Sequence, residues 1–239
     1  MTRRLMLGGV AAGWFGRAGW AASEADRAEE GFTLLFPEDG VPRGFVVRDW
    51  ADVSMPAPEG AAWEVKDGVL RSTGSRGCWL ISEREFGDLV LVYEFKLGPR
   101  GNSGCALRTP AKGDPAFDGL ELQMADVRYN PEAAESELTG GFYRAVAPSR
   151  QVYRPEEWNS MRIELRGSKA KVTLNGEVIQ DIDLADFKKP VPRHDGTEAP
   201  PLCDRPRTGR IGFQELSRDN GHVMIRKARF KELKAGSRE

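Results

Sequence analysis

Histidine and cysteine, which supply many metal and nucleophile sites, are scarce in this sequence. The 239 residues contain two histidines and three cysteines, and no pair of them has the spacing of zinc ligands. A structural zinc site is therefore not expected. Three cysteines allow at most one disulfide and leave one free thiol. Cys105 falls at an apolar position of a predicted strand, where it is expected as a small buried side chain.

The sequence also lacks an excess of either charge and a long apolar run. Lys and Arg total 35 against 36 Asp and Glu, which gives a net charge of −1. Nucleic-acid-binding proteins carry a clustered basic excess, so binding to a phosphate backbone is not expected. Beyond the N-terminus no stretch is long and apolar enough to span a bilayer. No segment has convincing helical periodicity, and neither an internal repeat nor a low-complexity linker is present.

Residues 1–22 have the layout of an export signal. Arg3-Arg4 precede an apolar stretch that ends at Trp20, and Ala21-Ala22-Ser23 offer small residues for a peptidase. Paired arginines are typical of the twin-arginine route, which carries folded proteins out of the bacterial cytoplasm. The alternative is a membrane anchor, but Arg17 interrupts a stretch already shorter than the roughly 20 residues that span a bilayer. We expect cleavage and a periplasmic or secreted protein.

Residues 31–234 alternate between short apolar-patterned segments and turn residues. Asn175-Gly176 lies between two such segments and is a strong signal for a tight hairpin. Pro131–Glu137 is at most one helical turn, and Asp186–Thr208, with five prolines, is expected as a long loop over one edge. The pattern predicts an all-β sandwich of two antiparallel sheets. The predicted strands are Trp63–Leu70, Cys78–Ser82, Asp88–Leu97, Gly104–Arg108, Gly119–Met124, Trp158–Arg166, 169–174, Val178–Asp183, Gly209–Glu215 and Val223–Leu233.

Three predicted strands combine an apolar back with an unusual front. Because strand side chains alternate between faces, the front positions are predicted to be Glu121, Gln123, Ala106, Arg108, Gly212 and Gln214. A solvated face is usually rich in Lys, Glu, Thr and Ser, so amide and small side chains on neighbouring fronts favour a shallow groove. In the last strand Arg226 falls in a row with Met224, Ala228 and Phe230, which predicts either an ion pair or a bound ligand for its guanidinium.

Six segments follow one another in a characteristic order. They are Asn102–Arg108, Gly119–Asp126, Thr139–Tyr143, Glu157–Asn159, Leu174–Gly176 and Gly209–Gln214. The set resembles the motifs of the 3-keto-disaccharide hydrolase domain family, and the resemblance extends over residues 31–234. It implies a concanavalin A-like jelly-roll sandwich that acts on sugars.

Two positions depart from the family pattern. Glu215-Leu216 stands where the family has Asp-His, and Arg226-Lys227 stands where it has Arg-Asn. The first departure removes a site histidine. His222 could replace it only if the intervening loop folds back.

The resemblance implies cleavage of a glycoside already oxidised at C3, which a separate sugar 3-dehydrogenase would supply. The ketone acidifies the C2 proton, so elimination can break the glycosidic bond before water adds to the 2-hydroxyglucal product. This chemistry requires a base near C2, an electrophile for the enolate oxygen and an acid for the departing oxygen. We predict Glu121 as the base, and Arg108, Arg226 or a divalent cation held by Glu121 as the electrophile.

The remaining site residues are predicted from residue type and position. Asp126 either supports Glu121 or acts as the acid. The residues predicted to bind substrate hydroxyls are Asn102, Gln123, Tyr143, Gln214 and Glu215.

Two other functions remain open at this point. Glu121-x-Gln123-x-x-Asp126 resembles the Glu-x-Asp-x-x-Glu pattern of jelly-roll glucanases, in which retaining hydrolysis needs carboxylates about 5–5.5 Å apart. Here the middle acid is Gln and the second acid is shorter. The other alternative is a non-catalytic carbohydrate-binding module with aromatic platforms, although most of the relevant tryptophans lie in strand-like positions typical of a core: Trp50, Trp63, Trp79 and Trp158.

Overall fold

The computed structural model describes residues 31–219 and 221–234, so the predicted export signal at 1–22 lies outside the described residues. The described part of the chain forms fifteen strands and one α-helical turn, α1 (Pro115–Asp118). The strands are β1 (Thr33–Leu34), β2 (Phe45–Asp49), β3 (Trp63–Lys66), β4 (Val69–Ser72), β5 (Cys78–Ser82), β6 (Leu89–Leu97), β7 (Asn102–Thr109), β8 (Leu120–Ala125), β9 (Asn159–Arg166), β10 (Lys169–Leu174), β11 (Glu177–Asp183), β12 (Val191–Pro192), β13 (Glu198–Ala199), β14 (Arg210–Glu215) and β15 (Val223–Glu232). Short 3₁₀ turns occur at Glu135–Glu137, Leu184–Asp186 and Leu202–Asp204.

Two antiparallel sheets form the sandwich, which confirms the predicted fold class. The larger has eight strands in the order β11-β10-β9-β6-β15-β4-β3, with β1 paired to β15. The smaller has five strands in the order β2-β5-β14-β7-β8. Asn175 and Gly176 adopt φ angles of 52° and 86° between β10 and β11, so this hairpin forms as predicted.

The core lies between the two sheets. Alternate residues of β7, β8 and β14, such as Cys105, Leu122 and Phe213, point into it and are almost fully buried. Opposite them, the larger sheet contributes side chains such as Tyr93 and Ile163. Burial of a large apolar side chain contributes about 1.5–3 kcal/mol. Because one face of the five-stranded sheet packs in this core, only its opposite face is available for a binding or catalytic site.

Several predicted boundaries need correction. Trp63–Leu70 is not one strand, because Asp67 and Gly68 take positive φ angles of 53° and 71° and turn the chain between β3 and β4. The strand Phe45–Asp49 lies outside every predicted strand. The long loop at 186–208 contains the small hairpin β12–β13. None of the described helices has the length and apolar character needed to cross a membrane.

All three cysteines are free thiols. Cys105 is fully buried in the core, as predicted, and burial raises its pKa to about 12. Cys78 is likewise buried, whereas Cys203 is partly exposed in the segment between β13 and β14. The single bridge that three cysteines would permit is therefore not formed in this structure.

Candidate active site

The site lies on the front face of the five-stranded sheet, defined here as the face turned away from the eight-stranded sheet. The strand register brings the predicted front residues together. Gly104 lies opposite Gln123, and Ala106 lies opposite both Glu121 and Gly212. The front therefore has a carboxylate and amides around positions that carry no large side chain.

Gly104 provides the space into which Glu121 folds. A Cβ atom at position 104 would lie 1.8 Å from Glu121 Oε1 and 2.7 Å from the carboxyl carbon. These distances are too short for any side chain, so glycine is required for this conformation of Glu121. The carboxylate consequently leans over β7 instead of extending away from the sheet.

The Glu121 carboxylate is buried without a balancing partner. Glu121 is 3% exposed. Among the described residues, no donor or cation forms a hydrogen bond or an ion pair with its side chain. Desolvation, reinforced by the nearby charge of Asp114, raises the pKa of Glu121 well above its usual range. A carboxylate poised in this way is suited to proton transfer.

A second carboxylate, that of the partly buried Asp114, lines the same part of the site. Its side chain accepts a hydrogen bond from Ala116 N and caps the first turn of α1. Burial raises the pKa of Asp114 to about 7 despite that hydrogen bond. Asp114 was not predicted as a site residue, because it lies in an irregular segment before β8, where strand alternation makes no prediction.

Above the front face lies a cavity with two adjoining parts. The wide part has a volume of about 620 Å³ and reaches Arg76, Asp126 and Tyr129, which is the size of a typical ligand pocket. The narrow part, about 30 Å³, holds Glu121 and Asp114. That volume is about the space of one water molecule. Six residues line both parts: Trp50, Asn102, Gln123, Tyr143, His194 and Leu216.

The amide side chains of the cavity differ in how they are used. Gln123 Oε1 accepts a hydrogen bond from Met124 N at 2.9 Å. The Asn102 side-chain oxygen is buried and has no hydrogen-bond partner among the described residues. Gln214 lines the narrow part, and its backbone carbonyl, not its side chain, accepts the Ser103 hydroxyl. Asn102 and Gln214 therefore retain amide groups for a ligand.

His194 reaches the cavity from the hairpin β12–β13. Its Nε2 lies 3.3 Å from the Tyr143 hydroxyl, and its ring meets Phe117 edge to face with centroids 5.6 Å apart. The His194 side chain is largely exposed, yet partial desolvation lowers its pKa below the usual value. The two aromatic neighbours and the histidine close one side of the narrow part.

Two arginines hold this hairpin in place. Arg193 pairs with Asp118 on α1, and the buried Arg205 donates to the carbonyls of Ala116 and Gly119 at 2.9 and 3.0 Å. The segment beyond β11 is thus attached to the turn that precedes β8. This attachment explains how a residue more than 70 positions away from Glu121 in sequence comes to line the same cavity.

Arg108 does not lie on the front face, contrary to the prediction. β7 has one more residue than β14 between the pairs Arg210–Thr109 and Gly212–Ala106, and Arg108 adopts a φ of 50° at this bulge. Its fully buried guanidinium pairs with Asp88 at 3.1 Å and donates to Gly167 O at 2.8 Å. Arg108 therefore ties the two sheets together away from the cavity.

Arg226 also lies elsewhere. A bulge at Lys227, whose φ is 53°, interrupts the alternation that the sequence suggested, so Arg226 and Ala228 face opposite sides. On the outer face of the larger sheet, Arg226 Nε lies 2.6 Å from Glu94 Oε2, and its guanidinium carbon lies 4.0 Å from the Trp158 ring centroid. The sequence predicted either an ion pair or a bound ligand for Arg226, and the structure shows the ion pair.

Glu215 does not line the cavity, which corrects its prediction as a substrate-binding residue. Its fully buried carboxylate accepts Ser217 N at 2.7 Å and Val223 N at 3.3 Å. His222 also contacts it, with Nδ1 3.3 Å from Glu215 Oε2. Glu215 and His222 thus fix the loop after β14. His222 does not take the place of the family histidine, whose position is occupied by Leu216.

Asp126 lines the wide part, but its carboxylate is already used. Burial alone would raise the pKa of Asp126, yet hydrogen bonds from Arg128 outweigh burial and lower it. Arg128 Nε lies 2.6 Å from Oδ1, and the Tyr153 hydroxyl lies 3.3 Å from Oδ2. Asp126 is therefore an ionised acceptor at neutral pH and is poorly suited to donate a proton.

The cavity also contains residues that were not predicted from the sequence, among them Trp50, Asp114 and His194. Trp50 was expected in the core, but it is 38% exposed and lines both parts. Asp114 and His194 lie in irregular segments for which strand alternation makes no prediction. One signal for His194 was available: it is one of only two histidines and sits in the proline-rich insertion.

The fold and the cavity define a class of protein: a jelly-roll β-sandwich with a polar cavity on the front face of one sheet. The model of the family described as the 3-keto-alpha-glucoside-1,2-lyase-like domain matches residues 15–234. The chain belongs to this family.

Solved structures with the same fold come from Parabacteroides distasonis. One proposed glycosyl hydrolase has a TM-score of 0.68 at 23% identity, covering 84% of this chain and 99% of its own. A second has a TM-score of 0.63 at 21% identity, covering 88% and 96%. A third has a TM-score of 0.59 at 22% identity, covering 85% and 84%. At these identities the likeness concerns the fold. No curated protein matches the chain.

Proposed function

We propose that this protein cleaves 3-keto-glycosides by elimination and hydration at the glycosidic bond. The observation that carries the proposal is Glu121, a buried carboxylate without a partner at the bottom of a polar cavity. A base for a carbon acid has to be desolvated and placed against the proton it removes. Family membership supplies the substrate class, and the ketone at C3 makes the C2 proton acidic enough for a carboxylate.

In the first half of the reaction, Glu121 removes the C2 proton and the bond from C1 to the glycosidic oxygen breaks. In the second half, water adds to C1 of the 2-hydroxyglucal and Glu121 returns its proton to C2. The amides of Asn102 and Gln214 are positioned to hold substrate hydroxyls or the enolate oxygen. Gln123 lines the cavity beside them.

A divalent cation held by Glu121 is a further proposal for the electrophile. Within the described residues no three His, Cys, Asp or Glu side chains form a metal-binding group. A cation here would therefore rely on Glu121 and Asp114, with amide oxygens and water completing an all-oxygen shell of the kind that Mg²⁺ and Mn²⁺ accept. Dialysis against EDTA, followed by readdition of each cation, tests this: an unchanged rate after chelation excludes the role.

The assay for the main proposal is incubation with 3-keto-sucrose or 3-keto-trehalose and detection of free 3-keto-glucose. Release by the wild type and loss in Glu121→Gln are the expected results. Failure to release product from any 3-keto-glycoside contradicts the proposal. Hydrolysis of an unoxidised β-glucan would instead favour the glucanase mechanism, for which Asp126 would have to be freed from Arg128.

Trp50 favours a second candidate function, a carbohydrate-binding module. Its partly exposed ring lines both parts of the cavity and could stack on a sugar. In that case the protein binds an unoxidised oligosaccharide without product formation, and Trp50→Ala weakens the binding measured by calorimetry. Turnover of a 3-keto-glycoside separates the two functions.

We further propose that the protein acts outside the cytoplasm, supported by the twin-arginine pattern at Arg3-Arg4. A separate sugar 3-dehydrogenase would then supply its substrate. N-terminal sequencing of the protein recovered from the periplasm or medium tests export. Replacement of both arginines by lysine is expected to retain the precursor inside the cell.

A further inference from the structure

Given the proposed function, the shape of the cavity locates the bond that is cleaved. The C2 edge of the sugar has to reach Glu121 in the narrow part, which has space for little more than one water molecule. A leaving group requires the larger volume of the wide part. The glycosidic oxygen therefore lies where the two parts meet, among the six residues that line both.

Two of those six side chains, Tyr143 and His194, can exchange a proton during catalysis. The other four are an indole, two amides and a leucine, which neither gain nor lose protons near neutral pH. Tyr143 Oη and His194 Nε2 lie 3.3 Å apart. We propose that Tyr143, hydrogen-bonded to His194, is the acid that protonates the departing glycosidic oxygen.

The carboxylic acids of the cavity fit this role less well. Asp114 lines the narrow part, on the side of Glu121, and also caps α1. Asp126 and Glu137 line the wide part, but each is paired with an arginine, Asp126 with Arg128 and Glu137 with Arg144.

The ionisation of both groups is consistent with the proposal. Burial, reinforced by the charge of Glu121, raises the pKa of Tyr143, so its phenol stays protonated and available as a donor. Partial desolvation lowers the pKa of His194, so the imidazole is neutral at pH 7. The charged groups around His194 are Arg144, Glu137 and Asp195. A neutral imidazole with its proton on Nε2 can donate to the phenolate that forms when Tyr143 gives up its proton.

The proton transfers balance over the full cycle. In the elimination, Glu121 takes the C2 proton and Tyr143 gives its hydroxyl proton to the departing oxygen, leaving a phenolate. In the hydration, water attacks C1 and gives a proton to the Tyr143 phenolate while Glu121 returns its proton to C2. The net reaction consumes one water and restores both residues. His194 stabilises the phenolate between these two steps and is therefore a positioning residue.

Leaving-group dependence tests the role of Tyr143. We expect Tyr143→Phe to lower kcat/KM about 10²–10⁴-fold for a 3-keto-glucoside with an alkyl or sugar leaving group. The nitrophenolate of a nitrophenyl 3-keto-glucoside leaves without protonation. The same variant should therefore turn over this substrate within a few fold of the wild-type rate. Equal losses on both substrates would overturn the acid role. A leaving-group-dependent loss in Asp114→Asn but not in Tyr143→Phe would assign the acid to Asp114 instead.

The role of His194 can be tested against a matched control, because the sequence contains a second histidine, His222. We expect His194→Ala to show the same leaving-group dependence with a smaller loss, and His194→Gln, whose amide can still donate to Tyr143, to recover part of it. His222→Gln serves as the control because His222 contacts Glu215 outside the cavity. Wild-type kinetics of His194→Ala on the alkyl glucoside would exclude a role through Tyr143.

Two measurements keep these outcomes separate. Thermal unfolding of each variant shows whether a loss of rate follows from a loss of folded protein. If the folded wild type cleaves neither 3-keto-glucoside, the proposed function fails and the inference fails with it. If the wild type cleaves both and Tyr143→Phe is indifferent to the leaving group, the proposed function stands and the inference alone is overturned.

Discussion

The front face of the five-stranded sheet and the outer face of the eight-stranded sheet both carry polar side chains, yet their charges are treated differently. On the outer face Glu94 is paired with Arg226 and Lys227. On the front face Glu121 has no partner among the described residues and is nearly inaccessible. An ion pair at the surface has a small desolvation cost and adds little to the free energy of unfolding. An unpaired buried carboxylate is unfavourable for stability, so its presence identifies the face where chemistry is expected.

The two faces also differ in what covers them. The outer face is open, and pairs such as Lys171–Asp181 remain half exposed or more. The part of the front face around Glu121 is covered by Trp50, α1 and the hairpin that carries His194. Enclosure excludes water, which strengthens electrostatic interactions with a bound substrate. A polar strand face thus becomes a site when other segments remove it from solvent.

The largest effect is expected from neutralising one carboxylate on each face. Glu121→Gln should lower kcat/KM for a 3-keto-glucoside about 10²–10⁴-fold, because the base is lost. Glu94→Gln, the matched change on the outer face, should leave turnover unchanged. Initial rates over a range of substrate concentrations measure both. Similar rates for Glu121→Gln and Glu94→Gln would remove the distinction between the faces.

The next effect concerns the position of the carboxylate and not its charge. In Gly104→Ala the new Cβ would occupy the place of Glu121 Oε1, so the side chain has to move. A displacement of about 1 Å can lower a rate about 10²-fold. The double variant Gly104→Ala/Glu121→Gln should be no slower than Glu121→Gln alone. Additive losses would mean that Gly104 acts independently of Glu121.

A third effect links the site to stability. Because the folded state raises the pKa of Glu121, it binds that proton more tightly than the unfolded state, and this contribution to stability is lost as pH rises above the ordinary Glu range. Glu121→Gln removes this dependence. The Tm of this variant should match that of the wild type near pH 4 and exceed it at pH 8. Each kcal/mol of difference in the free energy of unfolding corresponds to about 2–4 °C in Tm. A Tm below wild type at pH 8 would contradict the account of an uncompensated charge.

The smallest effect is expected on the outer face. Arg226→Ala removes an ion pair with Glu94 and a contact with Trp158, both partly exposed. We expect a loss of at most about 1 kcal/mol in the free energy of unfolding and normal turnover. Urea denaturation measures the first and the 3-keto-glucoside assay the second. A strong loss of activity with stability preserved would restore Arg226 to the site.

The polar front strands were predictable from the sequence because strand alternation is a local property. Glu121 and Gln123 share a face, with Leu122 and Met124 on the other, and this holds in the structure. Arg108 and Arg226 were misplaced for one shared reason. Each lies at a bulge, where one residue with a positive φ reverses the alternation. A single sequence gives no reliable sign of such an insertion.

What the sequence alone determined is the sandwich class, the strand pattern and the polar front around Glu121, because period-two alternation and turn residues act over a few positions. The tertiary structure decided which carboxylate is left without a partner, which arginines are engaged elsewhere and which histidine enters the cavity. His194 and Glu121 line the same cavity because Arg193 and Arg205 fasten a distant hairpin to α1 and the residue that follows it. Contacts of that range depend on how whole segments pack, and the local pattern of residues does not record them.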